Sequence, residues 1–148
     1  MKNKIVVVSG GFDPVHSGHV LLMNSARTYG DYLIVGVNSD EWLARKKGRS
    51  FMPYDERAVV VGNMKAVDEV MSFDDSDNSA CDLLEQVKIK YPGYKIIFAN
   101  GGDRTAINIP EMSVKDVAFQ FGVGGENKAN SSSWILQEWK APKTERQW

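Results

Sequence analysis

The sequence predicts a single three-layer α/β domain built around a parallel sheet. Continuous apolar runs, typical of strands covered on both faces, alternate with segments of helical periodicity along the chain. No internal repeat, low-complexity segment or linker interrupts this alternation, and 148 residues with 43% hydrophobic composition can bury one ordinary core. We therefore expect one domain over residues 1–140 and a C-terminal tail over residues 141–148.

The composition argues against several partners. Eighteen basic and nineteen acidic side chains give a formal charge of -1, so no global field attracts nucleic acid or an anionic membrane. The apolar run after Met1 is too short for a signal peptide or a membrane span. Cys81, the single cysteine, has no intramolecular disulfide partner. These features predict a soluble cytoplasmic protein.

The first third of the chain predicts a βαβ unit. Ile5–Val8 is a β-branched run typical of a central strand. Ser17 is suited to cap a helix that continues to about Thr28. Tyr32–Val37 repeats the pattern of a buried strand, and Ser39 or Asp40 then provides the cap of a short helix through Trp42.

The middle of the chain predicts one further strand between two helices. A basic loop, Arg45–Arg49, precedes a helix over residues 55–67. Val70–Phe73 is the third strand, and the acidic run Asp74–Asn78 is interpreted as solvated surface. Apolar residues at helical spacing then mark a helix over residues 80–90.

The last third predicts two strands and a final helix. Tyr94–Ala99 is the fourth strand and leads into a second glycine loop, Asn100–Arg104, which we expect to neighbour the first. Alternating residues over Val117–Val123 indicate the fifth strand. Ser131–Ser133 can cap a final helix, before a tail that we expect to be frayed.

The turn from Gly10 to His19 has the features of an anion site. Adjacent glycines allow a phosphate to approach the backbone, and the N-terminus of the following helix adds unpaired N–H donors. His16 and His19 are three residues apart, so both imidazoles can meet one anion, and phosphate favours their charged form. A zinc site needs more ligands, with Asp13 the obvious third, and a capping role for the histidines is the simpler alternative. We favour the anion site. The turn matches neither the Walker A loop nor the dinucleotide-binding glycine pattern.

The segment from Gly11 to His19 resembles the HxGH signature of the nucleotidylyltransferase superfamily. Within that superfamily the chain is most similar to glycerol-phosphate cytidylyltransferases and to the heptose-phosphate adenylyltransferase domain. The similarity extends to about Leu136 through these further segments: Gly30–Val35, Val37–Asp40, Tyr54–Arg57, Ala66–Asp68, Gly101–Asp103 and Ser131–Ser133.

The resemblance implies a Rossmann-like fold with strand order 3-2-1-4-5 and a transfer reaction. A nucleoside monophosphate would pass from CTP or ATP to a phosphorylated sugar or polyol, with release of pyrophosphate and no covalent enzyme intermediate. Mg²⁺ would bridge phosphate oxygens rather than occupy a protein cage, although Asp13 is a candidate to help hold it. A homodimer is compatible with the resemblance. The alternative is a nucleotide-binding module of the same fold that has lost turnover.

The resemblance also assigns residues. His16, His19 and Lys46 would be catalytic, Lys47 is a second candidate for the lysine, and Arg57 would make either a phosphate contact or a structural salt bridge. Relatives that use cytidine often have an arginine shortly before the serine triplet, where Lys128 is the nearest cation here. The residues implied in nucleotide binding are Gly11, Phe12, Asp13, Gly101, Gly102, Asp103, Lys128, Ser131, Ser132 and Ser133.

Overall fold

A computed structural model describes residues 3–101, 109–124 and 131–141 of the chain. Five parallel strands form one sheet in the order 3-2-1-4-5, which confirms the expected strand order and the α/β fold class. The elements are β1 (Lys4–Gly10), α1 (Ser17–Arg27), β2 (Tyr32–Val37), α2 (Asp40–Lys47), α3 (Tyr54–Gly62), β3 (Glu69–Met71), α4 (Cys81–Lys90), β4 (Lys95–Gly101), a 3₁₀ turn (Pro110–Ser113), β5 (Val117–Val123) and α5 (Ser132–Lys140).

Strand β1 lies at the centre of the sheet and is covered on both faces. It pairs with β2 on one side and β4 on the other. Val6 and Val8 belong to the apolar cluster that includes Met23 of α1, whereas Ile5 and Val7 belong to the cluster that includes Leu83 of α4. Successive side chains of a strand point to opposite faces, so a continuous β-branched run is what a doubly covered strand requires.

Helix α2 is longer than the sequence predicts, and the expectation of a basic loop is wrong for its first residues. The helix runs from Asp40 to Lys47, with Ser39 accepting the N–H of Trp42 as its N-cap. Acidic residues occupy its first turn and cations its last turn, which is the arrangement that the helix dipole favours. The helix ends at Gly48, whose φ of 96° a residue with a side chain rarely adopts. Lys46 and Lys47 therefore project from a helix and not from a loop.

Three other boundaries differ from expectation. Helix α3 ends at Gly62, because the chain then turns through Asn63 toward β3, which covers only Glu69–Met71. Helix α1 is capped by His16, whereas the sequence favours Ser17, the first residue within the helix. None of the helices in the described ranges has the length and apolar character that a membrane span needs.

Candidate active site

The glycine turn after β1 is packed by its own neighbours. A Cβ at Gly10 would lie 2.9 Å from the ring of Phe12, and one at Gly11 would lie 3.0 Å from Leu43. The Phe12 side chain is buried, its backbone has a φ of 53°, and its ring meets that of His19 edge-on at 4.9 Å. The glycines are thus required by close packing around the turn, in addition to any approach of a phosphate.

The two histidines are held by reciprocal hydrogen bonds at the start of α1. Nδ1 of His16 accepts the N–H of Gly18 at 3.0 Å, and Nδ1 of His19 accepts the N–H of His16 at 3.1 Å. Their rings stack with centroids 3.8 Å apart. This arrangement is a capping box in which both acceptors are imidazole nitrogens. The capping role and the functional role are therefore compatible, since each ring has a second nitrogen.

These contacts determine the protonation of both rings. An Nδ1 that accepts a hydrogen bond carries no proton, so each neutral ring carries its proton on Nε2 as a donor. Burial lowers the pKa of His16, and burial together with the charge of His16 lowers the pKa of His19 to about 3. These shifts favour the neutral form of both histidines in the ligand-free protein, and the expectation that phosphate favours their charged form stays a prediction. The site offers two neutral N–H donors.

Asp13 is enclosed by the segment that follows α2. Its carboxylate accepts the N–H groups of Phe51 and Met52 at 2.7 and 2.5 Å and pairs with the ammonium of Lys47 at 3.0 Å. The side chain is 1% exposed. Both carboxylate oxygens are engaged in anchoring the chain after α2, which gives Asp13 a structural role.

Lys46 lines a cavity of about 480 Å³ at the carboxyl edge of the sheet. Its ammonium lies 4.8 Å from the ring centroid of Trp42, which belongs to the same wall. The neighbouring Lys47 instead pairs with Asp13, so adjacent lysines serve different parts of the fold. The described residues that line the cavity are Ser9, Gly10, Gly11, Asn38, Trp42, Lys46, Phe73, Asn78, Ser79, Ala80, Ile109, Pro110 and Glu111.

Arg57 connects three loops beneath the site. Its guanidinium is fully buried and donates to the carbonyl oxygens of Gly11, Asn38 and Met52 at 2.7 to 2.9 Å. It also pairs with the carboxylate of Asp40 at 2.7 Å. These four bonds favour the structural alternative for Arg57 over the phosphate contact.

The interpretation of the acidic run as solvated surface is wrong for Asp75. Its side chain is buried and accepts hydrogen bonds from Asn38 and from the backbone and hydroxyl of Ser39. Burial raises the pKa of the Asp75 carboxyl, but these hydrogen bonds outweigh it and hold the pKa below its usual range. The signal that could have found Asp75 is its position just after β3, at the edge where the other loops meet.

The serine triplet reaches the glycine turn from the far end of the chain. Ser131 caps α5 by accepting the N–H of Trp134 at 3.0 Å, and the hydroxyl of Ser132 donates to the carbonyl oxygen of Pro14 at 2.8 Å. Ser133 lines a second cleft, of about 550 Å³, opposite the segment from Lys47 to Phe51. The N-terminus of α5 and the histidine turn therefore share one edge of the sheet.

The second glycine loop is only partly described. Gly101 ends β4, next to β1 in the sheet, where a Cβ would lie 2.9 Å from Leu22. Gly102, Asp103 and Lys128 lie outside the described residues, so their expected roles stay predictions. Sequence reasoning gave no role to Asn100, whose buried Nδ2 has no partner within the described part of the chain.

A protein cage for a metal ion is not present in the described ranges. They contain no group of three His, Cys, Asp or Glu side chains placed to hold an ion. Asp13, the candidate named from the resemblance, already uses both oxygens on backbone donors and Lys47. These residues do not fit a metal that the protein alone would bind.

Comparison with known proteins identifies the family of the sequence. The sequence model of the cytidylyltransferase-like family matches residues 7–121. The bifunctional protein HldE of Enterobacter sp. (strain 638) is 37% identical over 120 residues, which are 73% of this chain and 25% of that protein. The chain thus spans about a quarter of the length of the curated relatives it matches.

Two solved structures share the fold. The lipopolysaccharide core biosynthesis protein from Thermoplasma volcanium has a TM-score of 0.64 at 20% identity, covering 88% of this chain and 100% of its own. The nicotinic acid mononucleotide adenylyltransferase of Plasmodium falciparum, complexed with APC, has a TM-score of 0.55 at 16% identity, covering 91% of this chain and 83% of its own. With the family match over residues 7–121, the chain belongs to the cytidylyltransferase-like family of nucleotidyltransferases.

Proposed function

We propose that the chain transfers a nucleoside monophosphate from CTP or ATP to a phosphorylated sugar or polyol and releases pyrophosphate. The observation that supports this most is the hydrogen bond from Ser132 to the carbonyl oxygen of Pro14. It lies at the N-terminus of α5, where a helix offers backbone N–H donors to an anion, and it joins that terminus to the turn that carries His16 and His19. A triphosphate bound between these two elements meets donors on both sides.

The reaction is an in-line displacement at the α-phosphorus. A phosphate oxygen of the acceptor forms the new P–O bond while the bond to the β-phosphate bridge breaks, and the electron pair leaves with pyrophosphate. The Nε2–H groups of His16 and His19 donate to the oxygens that gain charge. Lys46, on the cavity wall, neutralises the approaching acceptor phosphate.

Magnesium has a restricted place in this proposal. Since Asp13 is enclosed and the described residues form no metal cage, the ion would be bound through the triphosphate and not by a protein site. It would neutralise phosphate charge there. No step of the transfer is assigned to a protein ligand of the metal.

The acceptor would bind in the cavity of about 480 Å³ that Lys46 lines. This volume suits a small molecule, and the wall combines two aromatic side chains, Trp42 and Phe73, with several polar side chains. The similarity to HldE over 120 residues supports a sugar phosphate as acceptor and ATP as donor, while the family description leaves CTP as the other candidate.

Pyrophosphate release tests the proposal. The protein is incubated with Mg²⁺, with CTP, ATP, GTP or UTP, and with a panel of phosphorylated sugars and polyols. We expect release with one nucleotide and a narrow set of acceptors. If folded protein binds a triphosphate in calorimetry but yields no pyrophosphate with any pair, the chain is instead a silent nucleotide-binding module.

A further inference from the structure

The cavity that Lys46 lines has one positive and one negative side chain among its described lining residues. They are Lys46, the cation, and Glu111, the carboxylate. Most neutral polar groups of the wall are already engaged within the protein. Asn38 donates to Asp75, and the oxygen of Asn78 accepts two bonds from Arg45.

Glu111 differs from these groups because half of its carboxylate is unused. The side chain belongs to the 3₁₀ turn before β5 and is 3% exposed. Oε2 accepts the N–H of Ala80 at 2.8 Å, whereas Oε1 is buried without a partner in the described part of the chain. A buried carboxylate oxygen without a donor is costly, so such an atom calls for an explanation.

We propose that Glu111 is a specificity-determining residue that accepts a hydrogen bond from a hydroxyl group of the acceptor. The inference rests on the proposed function, in that it assigns the cavity to the acceptor. An ionised carboxylate only accepts hydrogen bonds, and a hydroxyl is a donor that leaves the cavity without added charge. The bond from Ala80 holds the carboxyl group in place, so little further ordering is needed when the acceptor binds.

Lys46 and Glu111 interact with different parts of the acceptor. The phosphate is attracted by Lys46, and the hydroxylated part of the molecule is accepted by Glu111. A carboxylate or second phosphate on that part would meet the charge of Glu111 and be repelled. The substrate class that fits is therefore a polyhydroxylated monophosphate with no second anionic group.

A cycle of matched ligands and variants tests this role. The probes are glycerol 3-phosphate, ribitol 5-phosphate and mannose 1-phosphate, the monodeoxy analogues of each, and mannuronate 1-phosphate, in which a carboxylate replaces the hydroxymethyl group. Dissociation constants are measured by calorimetry with non-hydrolysable CTP or ATP analogues present, for the wild type, Glu111→Gln and Glu85→Gln. Glu85 is the matched control, since it lies exposed on α4 and pairs only with Lys88 in the described structure.

A hydrogen bond to a charged group predicts a loss of about tenfold or more in affinity. We expect that loss for the best-binding probe when one of its hydroxyls is removed, and a similar loss in Glu111→Gln. The two losses should not add, because both act on one contact, from which the deoxy analogue removes the hydroxyl and Glu111→Gln removes the charge. Glu85→Gln should bind every probe like the wild type.

Three results would overturn the role of Glu111. They are additive losses, an unchanged affinity in Glu111→Gln, and failure of every probe to bind the wild type. If Glu111→Gln does not fold, the wild type alone decides, because it should bind mannuronate 1-phosphate at least about tenfold more weakly than mannose 1-phosphate. Pyrophosphate release is measured separately, so a probe that binds as expected without turnover contradicts the proposed function and not the role of Glu111.

Discussion

The ammonium of Lys47 contacts both the carboxylate and the backbone carbonyl oxygen of Asp13. It lies 3.0 Å from the Asp13 carboxylate and donates to the Asp13 carbonyl oxygen at 2.5 Å. These contacts attach the last turn of α2 to the glycine turn. The Asp13 carboxylate also accepts hydrogen bonds from the N–H groups of Phe51 and Met52. The position of Lys46, one residue earlier, depends on this attachment.

Asp13→Asn should loosen the segment after α2. The substitution removes the ion pair with Lys47 and replaces one of two acceptor oxygens by an NH₂ group, which faces a backbone donor. We expect a loss of about 2 kcal/mol in the free energy of unfolding, from urea denaturation, and faster proteolysis near Gly48. Any transferase activity that the variant loses should not return when the Mg²⁺ concentration is raised. A rescue by Mg²⁺ would contradict the structural role of Asp13.

Lys46→Ala should mainly lower kcat, whereas Lys47→Ala should mainly lower the stability of the fold. Loss of Lys46 removes a cation from the cavity wall, so we expect kcat to fall about 10²-fold with little change in unfolding. Loss of Lys47 leaves the Asp13 carboxylate without its cation, so its main effect should be a lower free energy of unfolding. Steady-state kinetics and urea denaturation on both variants separate the two effects, and equal profiles would contradict the division of roles.

The strand order could be predicted because the central strands are chemically distinctive. A continuous β-branched run such as Ile5–Val8 is typical of a strand covered on both faces, and the resemblance supplied the order. The end of α2 could not be placed so easily, since three consecutive cations are also typical of a loop. What decides it is the sum of the Ser39 cap, the acidic first turn and Gly48.

The sequence predicts the motif residues of the candidate site but not the contacts that support them. The histidines and the serine triplet are marked by their residue types and spacing. Asp75 and Glu111 are not, because their role depends on burial against segments 30 or more residues away, as the bonds to Ser39 and Ala80 show. Such long-range contacts leave no local pattern in the sequence.

Arg57→Met should be among the most destabilising single substitutions in the chain. It keeps an apolar stem but leaves the carbonyl oxygens of Gly11, Asn38 and Met52, and the carboxylate of Asp40, without the donor at the buried guanidinium position. We expect a loss of at least about 3 kcal/mol in the free energy of unfolding. Arg57→Lys should recover little of it, since an ammonium cannot reproduce the planar geometry of the guanidinium.

Arg27→Ala provides the control for that substitution. Arg27 pairs with Asp68 near the surface, where both side chains are about a third exposed. Its removal should cost about 1 kcal/mol or less. Comparable losses at Arg27 and Arg57 in urea denaturation would show that Arg57 is not the connection between loops that its hydrogen bonds indicate.

His19 should make the protein less stable in mild acid. Its pKa is about 3 in the folded protein and near 6.5 when unfolded, so the unfolded state binds more protons between these values and stability falls as the pH falls below 6.5. The contribution at pH 5 is about 2 kcal/mol relative to pH 7. His19→Asn keeps an acceptor near the Nδ1 position without a titrating group, so its free energy of unfolding should depend less on pH over this range.

Asn and Gln at the two histidine positions should separate capping from catalysis. An Asn side chain places its polar atoms near Nδ1, and a Gln side chain places them near Nε2. If Nδ1 caps α1 and Nε2–H donates to the substrate, His16→Asn and His19→Asn should retain stability at pH 7 and lose about 10²-fold or more in kcat. The Gln variants should retain more turnover and less stability. Urea denaturation and pyrophosphate release on all four proteins measure both quantities, and the opposite ranking would mean that the two nitrogens of each ring have exchanged roles.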